Sequence, residues 1–254
     1  MTALPRLVAF DLDDTLAPSK SALDPRMLGV FTRLLHETSV AVISGGNFSQ
    51  FEAQLVSQLD AIDEIDEEAL ERLHLLPTCG TRYERRDQGR WVTVYQEQLT
   101  EDQRREALEA LREEAERLGL WEAEPWGDIL EDRGSQITFS ALGQRAPLAA
   151  KHAWDPDGAK KHALRAAVAA RLPELEARSG GSTSVDITRR GIDKAYGMRK
   201  LVEYTGIALD DMLFIGDRLD PEGNDYPVLA LGVRCHAVTG WEDTATYLED
   251  LLAG

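Results

Sequence analysis

The sequence has only two cysteines, Cys79 and Cys235, far apart and in no metal-like spacing. That excludes a disulfide framework and a zinc array, and reads as a reduced intracellular compartment with both thiols as small core residues. Basic residues are scarce: 28 Lys and Arg stand against 45 Asp and Glu, a net charge of −17. A chain this acidic lacks the basic footprint that nucleic acids and anionic membranes require. Long hydrophobic runs are missing too. None approaches the ~20 apolar residues that span a bilayer, and Leu7–Phe10 is too short for the core of a secretion signal. The expectation is a cytoplasmic protein. Repeats and low-complexity segments are absent, and the five histidines show no metal-site spacing.

What is present is the composition of a globular protein, 43% hydrophobic and 29% charged over 254 residues. That length means one large domain or two modest ones, enough for a core without staples. Leu7–Phe10, Val40–Ile43 and Met212–Ile215 are short, continuously apolar runs, as strands buried on both faces of a parallel sheet demand. Helical spacing marks 26–38, 48–59 and 194–204, and a last helix runs over 242–252. Another strand is expected over 229–233, and the acidic stretch 60–71 reads as a solvated helix face.

The middle of the chain differs. Residues 90–95 alternate after the turn-like Asp87-Gln-Gly89. A charged helix spans 100–118, strands are expected over 131–142 and 182–187, and an alanine-rich helix covers 158–171. The fold class is therefore α/β: a doubly wound, Rossmann-like parallel-sheet core, residues 1–82 and 188–254, with an inserted α+β domain, residues 83–187.

Asp11, Asp13 and Asp217 sit at or just beyond the ends of expected buried strands, where open parallel sheets bind ligands. Carboxylates gathered there repel one another unless a hard cation neutralises them, and oxygen donors favour Mg2+. A single acidic turn would mean little, but two such strand ends in the two halves of one split core point to a site. A calcium loop does not fit: counted from Asp11, its sixth and twelfth positions are Leu16 and Ala22, where Gly and Glu are needed.

With these residues in view, the chain resembles the haloacid dehalogenase superfamily. Its first motif, Asp-x-Asp-x-Thr, stands at Asp11-Leu-Asp13-Asp14-Thr15. The second is Ser44 of Ile43-Ser-Gly-Gly-Asn47, the third Lys194 of Gly191-Ile-Asp-Lys-Ala195, and the fourth Gly216-Asp217 with Asn224-Asp225. An insertion between the second and third motifs is similar to one type of cap domain in that superfamily. Within it the nearest likeness is to eukaryotic-type phosphomannomutases, through Glu131-Asp-Arg-Gly-Ser-Gln136, Gly180-Gly-Ser-Thr-Ser-Val-Asp186 and Gly216–Asp225.

The resemblance implies Asp11 as a nucleophile that becomes an aspartyl phosphate and Asp13 as general acid/base. It implies Ser44 and Lys194 as holders of the transferring phosphoryl group. Mg2+ would be held by Asp11, Asp217 and Asp13, the last through its backbone carbonyl. Lys20, Gly45, Arg133, Arg145, Lys151, Ser184 and Asp186 would contact substrate; the family's arginines fall at Lys20, at Gln144 beside Arg145, and at Lys151. Arg clamps a phosphate in two-pronged fashion where Lys is a point charge. The reading is a Mg2+-dependent phosphatase acting on a small phosphorylated metabolite, in particular a sugar phosphate, with a hexose-phosphate mutase as the alternative. Pairing of two copies through the cap is a further expectation; Asp14, Asp220 and Asp225 are left without roles.

Overall fold

Four consecutive apolar residues need shelter on both sides, and β1 (Leu7–Phe10) finds it: none of the four is exposed in the computed structural model, which describes residues 4–62 and 65–253. Asp24 caps α1 (Pro25–Glu37) by accepting from the Arg26 amide, and proline stands in the first turn, where its missing N–H costs nothing. β2 (Ser39–Ile43) follows, then α2 (Phe48–Phe51), a π-helical turn (Glu52–Val56) and α3 (Ser57–Leu59). The acidic helix expected over 60–71 is confined to α4 (Glu67–Glu71), with Asp66 as its cap; Asp63 and Glu64 lie outside the described residues. β3 (Leu73–Leu76) completes the parallel run on this side.

β4 (Arg82–Asp87) and β5 (Arg90–Gln96) form a hairpin whose turn residues, Gln88 and Gly89, both have positive φ. Because β4 pairs antiparallel with β3, this hairpin belongs to the core sheet. The inserted unit accordingly begins after Gln96 and ends after Gly191 rather than at 83 and 187.

The inserted unit comprises α5 (Glu101–Arg117), β6 (Leu130–Asp132), β7 (Gln136–Ser140), α6 (Leu148–Trp154), α7 (Ala159–Arg171), β8 (Leu175–Ser179) and β9 (Ser184–Arg189). The strand expected over 131–142 is two, folded back at a turn through Gly134, φ 80°. The sheet order is β6-β7-β9-β8, all antiparallel. One face buries Ile137, Phe139, Val185 and Ile187 against Leu111 of α5 and Leu164 and Val168 of α7.

The core resumes with α8 (Lys194–Thr205), β10 (Met212–Gly216), α9 (Tyr226–Ala230), β11 (Arg234–Ala237) and α10 (Trp241–Ala253). The strand expected over 229–233 is overruled. Pro227 stands in the first turn of a helix that ends at Ala230, Gly232 follows with φ 89°, and the strand forms just after it. The seven-stranded sheet has the order β11-β10-β1-β2-β3-β4-β5, its first five strands parallel. Val8 and Phe10 pack with Phe31 and Leu34 on one face, Leu7 and Ala9 with Met198 and Leu201 on the other. Strand order reverses at β1, so the crevice beyond the ends of β1 and β10 is the natural ligand site of such a sheet.

Candidate active site

Asp11 is the first residue beyond β1, and its amide still donates to Ile215 O at 3.0 Å, continuing the parallel ladder. Its side chain is buried, with Oδ1 accepting from the Leu12 amide at 2.6 Å and facing Lys194 Nζ at 2.6 Å. Lys194 opens α8, where the positive end of the helix dipole disfavours a cation. Its placement is explained by its partners: Nζ also meets Asp225 Oδ1 at 2.5 Å. Burial alone would lower the lysine's pKa, but Asp11 and Asp225 outweigh it and hold the ammonium protonated.

Asp225 is fully buried and ties its own loop together: Oδ2 accepts from the Arg218 amide at 3.0 Å, and its amide donates to Arg218 O at 3.1 Å. Gly216 has to lack a side chain because the Asp225 carboxylate fills that space. Asp217 accepts from buried Thr15 Oγ1 at 3.4 Å.

Carboxylate oxygens of Asp11, Asp217 and Asp225 all lie within 4.8 Å of one another. Desolvation, then the charge of Asp225, pushes the Asp217 carboxyl up to about 6. Burial raises Asp11 as well, against the pull of Lys194. Three carboxylates and one ammonium leave two negative charges uncompensated when all are ionised. A divalent hard cation matches both that deficit and the all-oxygen donors, so the residues present fit Mg2+.

Of the expected set, the structure brings Asp11, Lys194 and Asp217 together and adds Asp225. The Asp13 carboxylate is not part of that cluster. Oδ1 accepts from the Lys20 amide at 2.8 Å and Gln54 Nε2 at 3.2 Å, and Oδ2 from Gln50 Nε2 at 2.9 Å. Asp14 and Lys20 hold the intervening loop with φ of 60° and 58°, the left-handed region that non-glycine residues rarely enter. Ser44 lies buried beyond β2, its Oγ accepting from the Gly46 amide at 3.2 Å; Gly45 has open space where a Cβ would be. Asp220 is an exposed partner of Arg218.

In the inserted unit, Arg133, Ser184 and Asp186 share the polar face of the sheet. Arg133 Nη2 donates to Glu131 Oε2 at 2.8 Å, Thr138 Oγ1 to Asp186 Oδ1 at 2.7 Å, and the Ser184 and Ser140 hydroxyls lie 3.3 Å apart. Burial raises the Asp186 pKa against the opposing charge of Arg133. Gln144 donates to Ser140 Oγ at 2.9 Å. Arg145 lies in the turn before α6, its amide donating to Trp126 O at 2.7 Å, and Lys151 is carried on α6 itself. The two residues that sequence reasoning missed at Asp13, Gln50 and Gln54, left a signal in their spacing of four with Gln58.

A buried carboxylate with a lysine held against it and a cluster of carboxylate oxygens beside them, all at the switch point of a doubly wound sheet, are the arrangement of a phosphoryl-transfer enzyme of the haloacid dehalogenase superfamily. A family model described as eukaryotic phosphomannomutase matches residues 27–254, and the chain belongs to that family. It is 26% identical to a phosphomannomutase of Schizosaccharomyces pombe, covering 96% of this chain and 93% of that protein. It is 24% identical to a probable phosphomannomutase of Caenorhabditis elegans, covering 97% and 95%. Among solved structures, a haloacid dehalogenase-like hydrolase from Bacteroides thetaiotaomicron superposes with TM-score 0.63 at 15% identity, over 97% of this chain and 99% of that one. N-terminally truncated Plasmodium falciparum IMP-nucleotidase gives 0.73 at 14% identity, over 98% and 70%.

Proposed function

We propose that this protein is a Mg2+-dependent phosphatase of a small phosphorylated metabolite, a sugar phosphate in particular, working in the cytoplasm through an aspartyl phosphate on Asp11. The observation that carries the reading is Lys194 clamped between Asp11 and Asp225, with Asp217 beside them. Asp11, Asp217 and Asp225 would hold the cation, joined by the Asp13 backbone carbonyl that the resemblance implies. When bound it offsets repulsion between the anionic nucleophile and an anionic phosphate.

In the first transfer an Asp11 carboxylate oxygen bonds to phosphorus while the ester P–O bond breaks. The departing oxygen keeps the electron pair and takes a proton from Asp13. In the second, water attacks phosphorus, its proton returns to Asp13, and the Asp11 acyl phosphate breaks, restoring the carboxylate. Ser44 and Lys194 orient and neutralise the phosphoryl oxygens. Arg133, Arg145, Lys151, Ser184, Asp186, Lys20 and Gly45 are assigned to the substrate, and pairing through the inserted unit remains part of the reading. The amide of Gln144, where the family has an arginine, leaves that unit with one fewer phosphate clamp and favours water as acceptor over a returning bisphosphate. No helix among the described residues is long and apolar enough to cross a membrane.

The family match supports a second reading, a hexose-phosphate mutase. Phosphate release from a hexose-phosphate panel with and without Mg2+ tests the first. Conversion of mannose 1-phosphate to the 6-phosphate without net phosphate release would select the second. Asp11→Asn should lower either activity by ~10³-fold or more while the circular dichroism spectrum is unchanged. Turnover surviving in that variant refutes the nucleophile.

A further inference from the structure

The helix that begins at Phe48 carries glutamines at 50, 54 and 58, and every one of them reaches back to the loop between residues 13 and 23. Gln58 binds Leu23 like a partner strand, accepting from its amide at 2.9 Å and donating to its carbonyl at 3.0 Å. Gln54, fully buried, donates to Ser21 O at 2.8 Å and to Asp13 Oδ1 at 3.2 Å. Gln50 donates to Asp13 Oδ2 at 2.9 Å and to Gln54 Oε1 at 2.7 Å.

In an α-helix, residues four apart drift by roughly 40° around the axis at each step. The π-turn Glu52–Val56 has more residues per turn and drifts the other way, which keeps the three amides in one row. Burying amides is costly unless each is hydrogen-bonded, and apolar side chains would pack as well. Tying down the loop needs only contacts of the Gln58 kind. Gln54 makes one such contact, to Ser21 O, but with Gln50 it also does something else: together they hold both oxygens of one carboxylate.

The two oxygens are not equivalent. Oδ1 takes two N–H donors, from Lys20 and Gln54, and is saturated; Oδ2 takes one, from Gln50, and keeps a lone-pair direction open for a proton. Gly46 enters the same arrangement, because a Cβ there would overlap Gln50 Oε1.

We infer that Gln50 and Gln54 are positioning residues that aim Asp13, with Oδ2 as its proton-carrying oxygen, and that Gly46 makes room for the amide of Gln50. This rests on the phosphoryl-transfer reading above, in which Asp13 protonates the departing ester oxygen. A donor held at the wrong angle cannot reach that oxygen as the P–O bond breaks, which matters only when the leaving group needs the proton.

The test compares kcat/KM, which reports the first transfer, for two esters: the fastest-reacting member of a hexose-phosphate panel and p-nitrophenyl phosphate, whose leaving group departs as its anion. Gln50→Leu should lower kcat/KM for the hexose phosphate ~10–100-fold, a fraction of what general acid catalysis supplies. For p-nitrophenyl phosphate it should change less than ~3-fold, since that step bypasses the acid. Gln54→Leu should follow, whereas Gln58→Leu should leave the ratio of the two esters unchanged. Gly46→Ala, which displaces the Gln50 amide without altering it, should reproduce the selective loss even if the leucine variants fail to fold. Equal losses on both esters, or no loss at all, overturn the inference alone. A wild type that turns over neither ester overturns the phosphoryl-transfer reading and the inference with it.

Discussion

Two polar regions of this chain are buried, and they meet the cost of burial differently. Beside β1 and β10, ionisable groups are set against each other: Lys194 between Asp11 and Asp225, with Asp217 next to them. On the polar face of the inserted sheet, Gln136, Thr138, Ser140 and Thr188 are buried dipoles. There the half-buried carboxylate, Asp186, has a hydroxyl and an amide as partners besides the charge of Arg133, and desolvation still raises it toward its neutral form. Fixed charge is useful where charge shifts during a reaction, because it is already oriented when the barrier is crossed. Oriented dipoles are useful where one ligand must be told from another, since a wrong ligand leaves them unpaired.

The sharpest way to break this contrast is Lys194→Met. It leaves two buried carboxylates facing each other with nothing between them, and removing one partner of such a pair costs ~3–5 kcal/mol. Urea unfolding should show that loss. A variant within ~1 kcal/mol of wild type would mean that the carboxylates are not both charged in the native protein.

His74 shows that the core, too, has a group it keeps neutral. It is buried on β3 with Nδ1 2.7 Å from the Tyr83 hydroxyl, and desolvation, with Arg85 nearby, pushes its pKa down to about 4. Since the folded value lies below the unfolded one, the unfolded chain binds more protons between the two. The contribution is therefore complete above pH ~6.5 and lost as pH falls toward 4, by up to ~3 kcal/mol. His74→Gln should flatten that part of the stability–pH curve. An unchanged slope would assign the acid sensitivity to other groups.

Most of the core was legible because its signals are local. Leu7–Phe10, Val40–Ile43 and Met212–Ile215 are apolar without interruption, and carboxylates stand where the first and last of those runs end. Residues 83–96, expected in the inserted domain, belong to the core sheet because membership depends on pairing with β3, a contact between strands that no local pattern records. β3 itself, Leu73-His-Leu-Leu, is short and holds a histidine that only burial reveals as neutral. In the site, Asp11, Lys194 and Asp217 followed from strand ends and motif order. The second partner of Lys194 and the turn of Asp13 toward Gln50 and Gln54 are side-chain directions, which the sequence of residues does not contain.

A smaller effect probes the second region. Asp186→Asn keeps shape and the bond from Thr138 but exchanges a carboxylate for an amide. If this face discriminates among ligands, KM for the preferred hexose phosphate should rise ~10-fold, ~1.4 kcal/mol, with kcat changed far less. Loss confined to kcat would move Asp186 from recognition into the chemistry.

The smallest effect separates the two regions most cleanly, because its sign is opposite to that of an ordinary site mutation. Metal-free, Asp217 is a carboxylate held above its ordinary pKa by burial and by Asp225 beside it. Asp217→Asn removes one of three mutually repelling charges, so the metal-free variant should melt higher than wild type. Partial exposure screens the repulsion, so the gain should be roughly 2–4 °C, what ~1 kcal/mol yields in a chain of this size. Adding Mg2+ should raise the wild-type Tm in proportion to site occupancy and raise the variant less, narrowing or reversing the gap. Activity should fall in the same variant, so that stability and function move apart. A metal-free variant that melts lower than wild type would show that Asp217 is satisfied by its bond from Thr15, and the cluster would then carry no strain for a cation to relieve.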